Sequence, residues 1–311
     1  MTERVVVLGD LLIDQVLQIE RFPVIPAQHQ RVQSALLSPG GANNTLIAGA
    51  RLGLKMQALG ALGDDAPARW LLDTLQAEGI DCSNVIQMPG TETSLVYTLA
   101  DSTGQHVFLG KQGTYGPLTL PGGWQPILES VRAVFFDGWT YRAGHPALFA
   151  AAARITAAAQ VPLFFDPGPE YLHFDASWLD TVLSCTHTLL VTEDELRGIA
   201  NDTQSSLEAV GKALLARGPA LVFIKLGAAG CMLCSAHETV QHPGFKVAVR
   251  DTSGAGDTFA AAALYGYVND MPLPALAAFA NAAGAAAVMK LGAGLNVPTR
   301  AEIDAVLGQA L

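Results

Sequence analysis

The sequence predicts an α/β protein: a mainly parallel central sheet covered by helices on both faces, with a small β lid. Three observations carry this. From residue 131 onward, short apolar runs alternate with longer stretches of helical spacing, the rhythm of βαβ units. Runs such as Val134-Phe135-Phe136 and Leu163-Phe164-Phe165 lack polar alternation, the pattern of strands buried on both faces. Two pairs of extended segments, near 15–38 and 91–112, break that rhythm and read as a separate small sheet.

Each element has its own signal. RVVVLGD (4–10) is an apolar strand ending at a turn. VLQIERF and HQRVQSALLS alternate loosely, as partly exposed strands do. NNTLIAGARLG (43–53) opens on an Asn cap, carries apolar residues at helical spacing and stops at Gly. MQALGALG is strand-like, and DAPARWLLDTLQAEGI is a helix with a Gly stop. SLVYTLADSTGQHVFLG (94–110) is a hairpin around an Asp-Ser-Thr-Gly turn. VRAVFFDGW is a strand, the stretch from His145 to 159 a helix, and VPLFFDP a strand. THTLLVTEDELRGIA is a strand then a helix, SLEAVGKALLARG a helix, ALVFIKLG a strand, and CMLC (231–234) a strand after a Gly turn. FKVAVRD (245–251) reads as a strand leading into a Gly-rich turn and an alanine-rich helix. The uncharged stretch 271–289 holds two prolines and an Asn, and suits a buried helix of a soluble protein better than a membrane span. With no repeat and no linker, residues 1–311 read as one domain, its lid formed by approximately 15–38 and 91–112.

Composition narrows the partners. Half of the 311 residues are apolar, 15% are charged, and the formal net charge is −10 with 18 Lys plus Arg. A nucleic-acid surface needs clustered cations, and no basic run exists. A small-molecule partner follows. The N-terminal stretch lacks the long apolar segment of a signal peptide. Of Cys82, Cys185, Cys231 and Cys234, only the last two are close, with no second pair to complete a zinc site. Ordinary thiols in a reducing cytoplasm are expected. His29, His106, His145, His173, His187, His237 and His242 show no ligand spacing.

The chemistry concentrates in RDTSGAGDTF (250–259). With Ser253 or Asp251 as cap, the amides of Gly254, Ala255, Gly256 and Asp257 would point outward at the positive end of a helix. Glycines let a ligand approach that backbone, so the turn suits a phosphoryl group. Spacing alone leaves two readings of Asp257 open: a base beside a phosphate, or an acid that merely suits the helix dipole.

The segment DTSGAGDTF resembles the signature of the ribokinase-like (PfkB) carbohydrate kinases. GGANNTLIAGARLG (40–53) resembles that family's N-terminal pattern, and GDLLID, ALGDD, FDP, LGAAG and LGAGLNVPT follow in the family's order along the chain. The resemblance implies a ribokinase-like fold and transfer of the ATP γ-phosphoryl group to a hydroxymethyl oxygen of a small sugar. It implies that Asp257 is the base and that the amides of Gly254, Ala255 and Gly256 stabilise the transferring group. It places Asp14, Gly41 and Asn44 at the sugar, and Lys225, Gly227 and Asn281 at the nucleotide, Asn281 near the adenine. It gives Glu195 to Mg²⁺ through water. It gives Asp251 and Thr252, with carbonyls near Gly292 and Asn296, to a potassium ion seen in some relatives.

Departures from the pattern bear on these roles. Thr192 stands where the family usually has Asn, three residues before Glu195. GGANN is one residue shorter than the usual form, DPGPEY lacks the family's Arg, and Lys225 replaces a common Thr. Trp139, Tyr141 and Phe108 are aromatic candidates for the sugar pocket or the core, and Lys111 reads as a solvated edge charge. A nucleoside or sugar-phosphate kinase, and a non-catalytic sugar sensor on the same fold, are the alternative functions. A dehydrogenase lacks its Gly-x-Gly-x-x-Gly after the first strand, and no Walker-type Gly-Lys-Ser/Thr is present. The lid's strand edges suggest a homodimer.

Overall fold

The structure, a computed structural model, describes residues 3–103, 105–114, 119–139, 141 and 146–308. His145, at the expected start of one helix, and Gly104, in the expected hairpin turn, lie outside the described residues. The chain runs β1 (Arg4–Leu8), β2 (Leu11–Gln18), β3 (Ser34–Gly41), α1 (Asn43–Arg51), β4 (Lys55–Leu59), β5 (Ala61–Gly63) and α2 (Ala66–Ala77). It continues with β6 (Ile86–Met88), β7 (Leu95–Ala100), β8 (His106–Lys111), α3 (Gln125–Leu128), β9 (Ala133–Asp137) and α4 (Pro146–Ala158). Then follow β10 (Leu163–Asp166), α5 (Ala176–Cys185), β11 (Thr188–Thr192), α6 (Glu193–Ala200), α7 (Leu207–Leu215) and β12 (Leu221–Lys225). Last come β13 (Cys231–Ser235), β14 (Thr239–His242), α8 (Ala255–Val268), α9 (Leu273–Val288) and α10 (Arg300–Leu307).

The main sheet has the order β14-β13-β12-β11-β10-β9-β1-β4. It is parallel from β4 to β12 and antiparallel only in the β12-β13-β14 edge. Successive residues of one strand feed opposite cores, as a pleated strand requires. Val5, Val7, Phe135 and Phe164 join the core packed by α1, α8 and α9. Val6, Val134, Phe136 and Phe165 join the core packed by α4, α5 and α7. The unbroken apolar runs of the sequence are therefore strands covered twice. The uncharged 271–289 stretch is mostly α9, one of those covering helices, with nine of its residues buried. No helix among the described residues is long and apolar enough to cross a membrane.

The lid is a second sheet of order β3-β2-β7-β8, in which Asp14 pairs with Ser38 and with Val96. It begins at Leu11 and returns at Gly41, so it is somewhat longer at its base than the sequence suggested.

One expected strand is absent. Residues 245–251 carry no ladder. Phe245 and Val247 nevertheless pack on the core. The amides of the segment are used otherwise: Arg250 and Asp251 donate to the Val288 carbonyl at the end of α9, at 2.8 and 3.3 Å. The Gly-rich turn is thus delivered by an extended segment clamped to a helix end rather than by a sheet strand.

Candidate active site

The strands β10, β11 and β12 end at Asp166, Thr192 and Lys225, and α8 starts beside them. Gly254 precedes α8 with φ +71°, a left-handed conformation suited to glycine, and a side-chain carbon there would lie 2.8 Å from the Ala293 Cβ. No side chain caps α8. The Asp251 carboxylate, one of the two expected caps, accepts instead from Ser253 N (2.9 Å), Ser253 Oγ (2.8 Å) and Gly292 N (2.7 Å). These bonds hold its pKa below the usual carboxylate value although burial pushes the other way. They fasten the 251–254 turn to the 291–296 loop and leave the helix mouth open.

Among the expected amides, that of Ala255 is already used, donating to the Thr252 carbonyl at 3.3 Å. Those of Gly254, Gly256 and Asp257 have no protein acceptor among the described residues. Ala255 therefore drops out of the anion hole, because its N–H closes the turn that orients the other three. Three amides without a protein acceptor at a helix start are the arrangement that an anion site requires.

Asp257 lies in the first turn of α8. Its Oδ2 accepts from Asn44 Nδ2 at 2.9 Å and its Oδ1 faces Thr45 Oγ1 at 3.5 Å. Asn44 in turn accepts from Gly294 N at 2.8 Å. Neither Asn43 nor Asn44 caps α1, whose N-cap is Ala42. Asn44 is a buried strut between the acid of α8 and the 291–296 loop. Asn43 Nδ2 donates to Leu12 O (3.0 Å) and Gly40 O (2.8 Å), tying together the two strands at the base of the lid.

Burial pushes the Asp257 pKa up to about 6, with the Asp166 charge adding to it and the Asn44 and Lys225 contacts holding it back. Asp14, on β2 rather than in a loop, is also raised to about 6, first by burial and then by the facing charge of Asp257. Its carboxylate lies against Gly40, where any side chain would collide with it. Gly41 has φ +59°, and a side-chain carbon there would come within 2.7 Å of the Asp10 carbonyl oxygen. The Gly-Gly pair is thus demanded by close approach.

Lys225 Nζ meets Asp166 Oδ2 at 2.5 Å in a pair only 15% and 13% exposed. It lies 4.0 Å from the point where a Gly256 side chain would begin, so its charge borders the anion hole. Burial opposes the ammonium, but Asp166, Glu195 and Asp257 outweigh it and raise the pKa above the usual lysine value. Asp166 was legible only as part of a motif, and its role as the Lys225 partner went unread.

Glu195 is buried, and burial raises its pKa. One oxygen accepts from Thr192 N at 2.7 Å while Thr192 Oγ1 accepts from Glu195 N at 3.3 Å, a reciprocal capping box at the start of α6. Threonine at 192 is one of the residues that form such a cap. Among the described residues no cluster of three or more His, Cys, Asp or Glu surrounds a metal position. The donor set fits an ion that keeps waters and phosphate oxygens around it, with one Glu195 oxygen to spare.

The nucleotide-side residues divide. Gly227 (φ +57°) opens on free space in the β12–β13 turn. Asn281 does not offer its amide nitrogen to a ligand: it lies 3.0 Å from His242 Nδ1 and 3.1 Å from the Pro243 carbonyl, holding the segment after β14. Asn296 donates to Leu291 O at 3.0 Å. Thr252 and Gly292 are in the joined loops, and Asp251 Oδ2 accepts a single hydrogen bond, from Gly292 N at 2.7 Å. Tyr141 belongs to the core, its hydroxyl accepting from Asp175 N at 3.0 Å and its ring against Trp178. Trp139 is 54% exposed at the end of β9. Lys111 pairs with Glu92 at 2.6 Å on the lid edge.

Removing the Asn44 strut tests this geometry. Asn44→Ala leaves Gly294 N and Asp257 without their shared partner, so we expect kcat to fall about 10–100-fold through misplacement of the acid, with the sugar KM changing less. Steady-state kinetics measure both. An unchanged kcat removes Asn44 from the positioning of Asp257.

Comparison with known proteins agrees with the geometry. The model of the pfkB family carbohydrate kinases matches residues 2–300. An ATP-dependent ribose-1-phosphate kinase of Halopiger xanaduensis is 29% identical over 98% of each chain. A ribokinase of Staphylococcus aureus is 26% identical over 98% of this chain and all of that one. The solved Arabidopsis thaliana ribokinase complexed with ribose and ATP superposes with a TM-score of 0.85, 24% identity and 99% coverage of both chains, a likeness of fold. With a family model spanning nearly the whole chain, the protein belongs to the pfkB family of carbohydrate kinases.

Proposed function

We propose that the protein transfers the γ-phosphoryl group of ATP to a hydroxymethyl oxygen of a small sugar, with Asp257 as general base. The observation that carries this is the pairing of three unclaimed amides with a carboxylate anchored in the same helical turn. Phosphoryl transfer requires positioning and charge stabilisation more than covalent chemistry. Gly254, Gly256 and Asp257 amides receive the migrating group and Lys225 adds a positive charge at its side. Asp14, acceptor-only when ionised, takes hydroxyl donors of the sugar, with the Gly41 turn beside it. Mg²⁺, when bound with ATP, supplies charge neutralisation of the phosphates. Glu195 would hold it through water. Potassium rests on the family resemblance, with Asp251 and Thr252 and the carbonyls near Gly292 and Asn296 as its ligands.

An ADP-release assay over pentoses, hexoses, nucleosides and their monophosphates tests the reading. ADP formation with none of them defeats it.

The acid also sets a pH profile. A base with a pKa near 6 is charged at pH 7 and above and neutral below pH 5, so kcat/KM should rise through about pH 6 to a plateau. Because Asp14 titrates beside it, the measured value belongs to the pair. A profile flat from pH 5 to pH 8 contradicts the assignment.

We further propose a cytoplasmic homodimer. The described cysteines are all free thiols. Leu36 on β3 and Val107, Phe108 and Leu109 on β8 are exposed on the lid's two edge strands, and a second lid would cover them. Light scattering should give a dimer for the parent protein and a monomer for Phe108→Glu with Leu36→Glu. An equal mass for both refutes the lid interface.

A further inference from the structure

A cavity of about 370 Å³ opens at the edge of the main sheet opposite the catalytic turn. The active site gathers at the last residues of β10, β11 and β12. This cavity lies at the other ends of those strands, beside Phe164, Thr188 and Leu221. Its remaining wall is the C-terminal half of α8, including Tyr267, and the start of α9. Well-packed interiors leave few voids larger than a water molecule, and the volume lies within the range of small-molecule sites.

The lining has a definite chemistry. His187 stacks on Phe164 at 6.0 Å and 28°, and meets Tyr267 edge-on at 5.1 Å. Phe164 and Tyr267 are themselves edge-on at 5.5 Å. His187 Nδ1 pairs with Thr188 Oγ1 at 2.9 Å, which leaves Nε2 as the ring's remaining polar atom. Burial lowers the His187 pKa, so the imidazole is neutral at pH 7. The Ser235 hydroxyl is occupied by its own turn, donating to Glu238 O at 3.0 Å. At the mouth, Asp270 faces Arg132 at 3.4 Å, and the Arg132 guanidinium lies over the Tyr267 ring at 4.9 Å. The charges there offset each other, and none is buried in the cavity. The mechanism uses none of these groups.

We propose that this cavity is a second ligand site, taking a neutral, planar, fused heteroaromatic ring with a ring nitrogen toward His187 Nε2. His187 and Tyr267, both partly exposed, give the wall its accessible aromatic surface, with Phe164 packed behind them. A charged ligand finds no buried counter-charge, and a purely aliphatic one leaves the imidazole nitrogen unpartnered.

Benzimidazole is a suitable probe, because its ring carries both an N–H donor and a nitrogen acceptor. Its binding is to be titrated by ligand-observed NMR and calorimetry with the ATP site filled by a non-hydrolysable ATP analogue. The expected result is saturable one-to-one binding that the analogue does not displace. His187→Leu should weaken it about tenfold or more through loss of the hydrogen bond. Met271→Trp, at the rim, should abolish it by filling the space. Retained kinase activity shows that each variant is folded, and one folded variant suffices for the comparison. No saturable binding, binding competed by the ATP analogue, or equal binding by parent and folded variant overturns the proposal.

Discussion

Asp257→Asn is expected to lower kcat by about 10²–10⁴-fold while leaving sugar binding within a few-fold of the parent. The substitution keeps the shape of the side chain and its place beside Asn44, and removes only the ability to accept the proton of the attacking hydroxyl. The three amides and Lys225 still receive the phosphoryl group, so residual transfer persists. The same substitution should also stabilise the protein. Burial raises the Asp257 pKa from 3.8 to about 6. The folded state thus holds this proton more tightly than the unfolded chain does, and ionisation costs stability at every pH above that range. Removing the ionisable group recovers on the order of 1–3 kcal/mol at pH 7.5. The gain fades as the pH falls through 6, and it vanishes only below 3.8, where the parent carboxyl is neutral in both states. Thermal melts at pH 7.5 and pH 4.5, with kcat and a sugar dissociation constant, examine both halves. A variant that transfers phosphate within tenfold of the parent places the base elsewhere. A variant less stable than the parent at pH 7.5 contradicts the buried, strained state of the acid.

That combination explains why some of this site could be read from the chain and some could not. The Gly254–Asp257 turn is local: glycine conformation, helix start and acid all lie within four residues, so the motif carries its own geometry. The doubly covered strands are equally local, since Val134-Phe135-Phe136 needs no partner to announce two buried faces. The lid was legible because two extended pairs interrupt a regular alternation. The partnerships between side chains were not legible. Asn44 and Asp257 are 213 positions apart, and Asp166 and Lys225 are 59 apart. Only the packing of α1 on α8, and the spacing of β10 from β12 across β11, bring them together. The segment 245–251 was expected as a strand and carries no ladder, because an apolar pattern reports which side chains are covered and not where the amides go. The loss of Ala255 from the anion hole has the same origin: a turn that aims three amides outward spends a fourth on closing itself.

Lys225→Met carries the second large effect, and it falls on two quantities at once. Without the ammonium, the anion hole loses a neighbouring cation, and kcat should fall about 10²–10³-fold, the scale of removing a single preorganised stabilising group. The fold should weaken as well. Asp166 and Glu195 would remain in a site that Lys225 now neutralises, and breaking a buried pair by deleting one partner costs about 3–5 kcal/mol. The cost should shrink at acid pH, where Glu195, its pKa already raised by burial, takes up a proton. A second substitution separates the two roles. In Lys225→Met with Asp166→Asn, the unpaired charge at 166 is gone, so much of the lost stability should return while kcat stays low. Denaturant unfolding and steady-state kinetics on the parent, both single variants and the double variant complete the cycle. If activity returns together with stability, Lys225 serves the fold alone and the phosphoryl group is held by backbone amides without it. If stability returns and activity does not, the ammonium acts on the phosphate directly, and Asp166 is the residue that keeps it in place until ATP arrives.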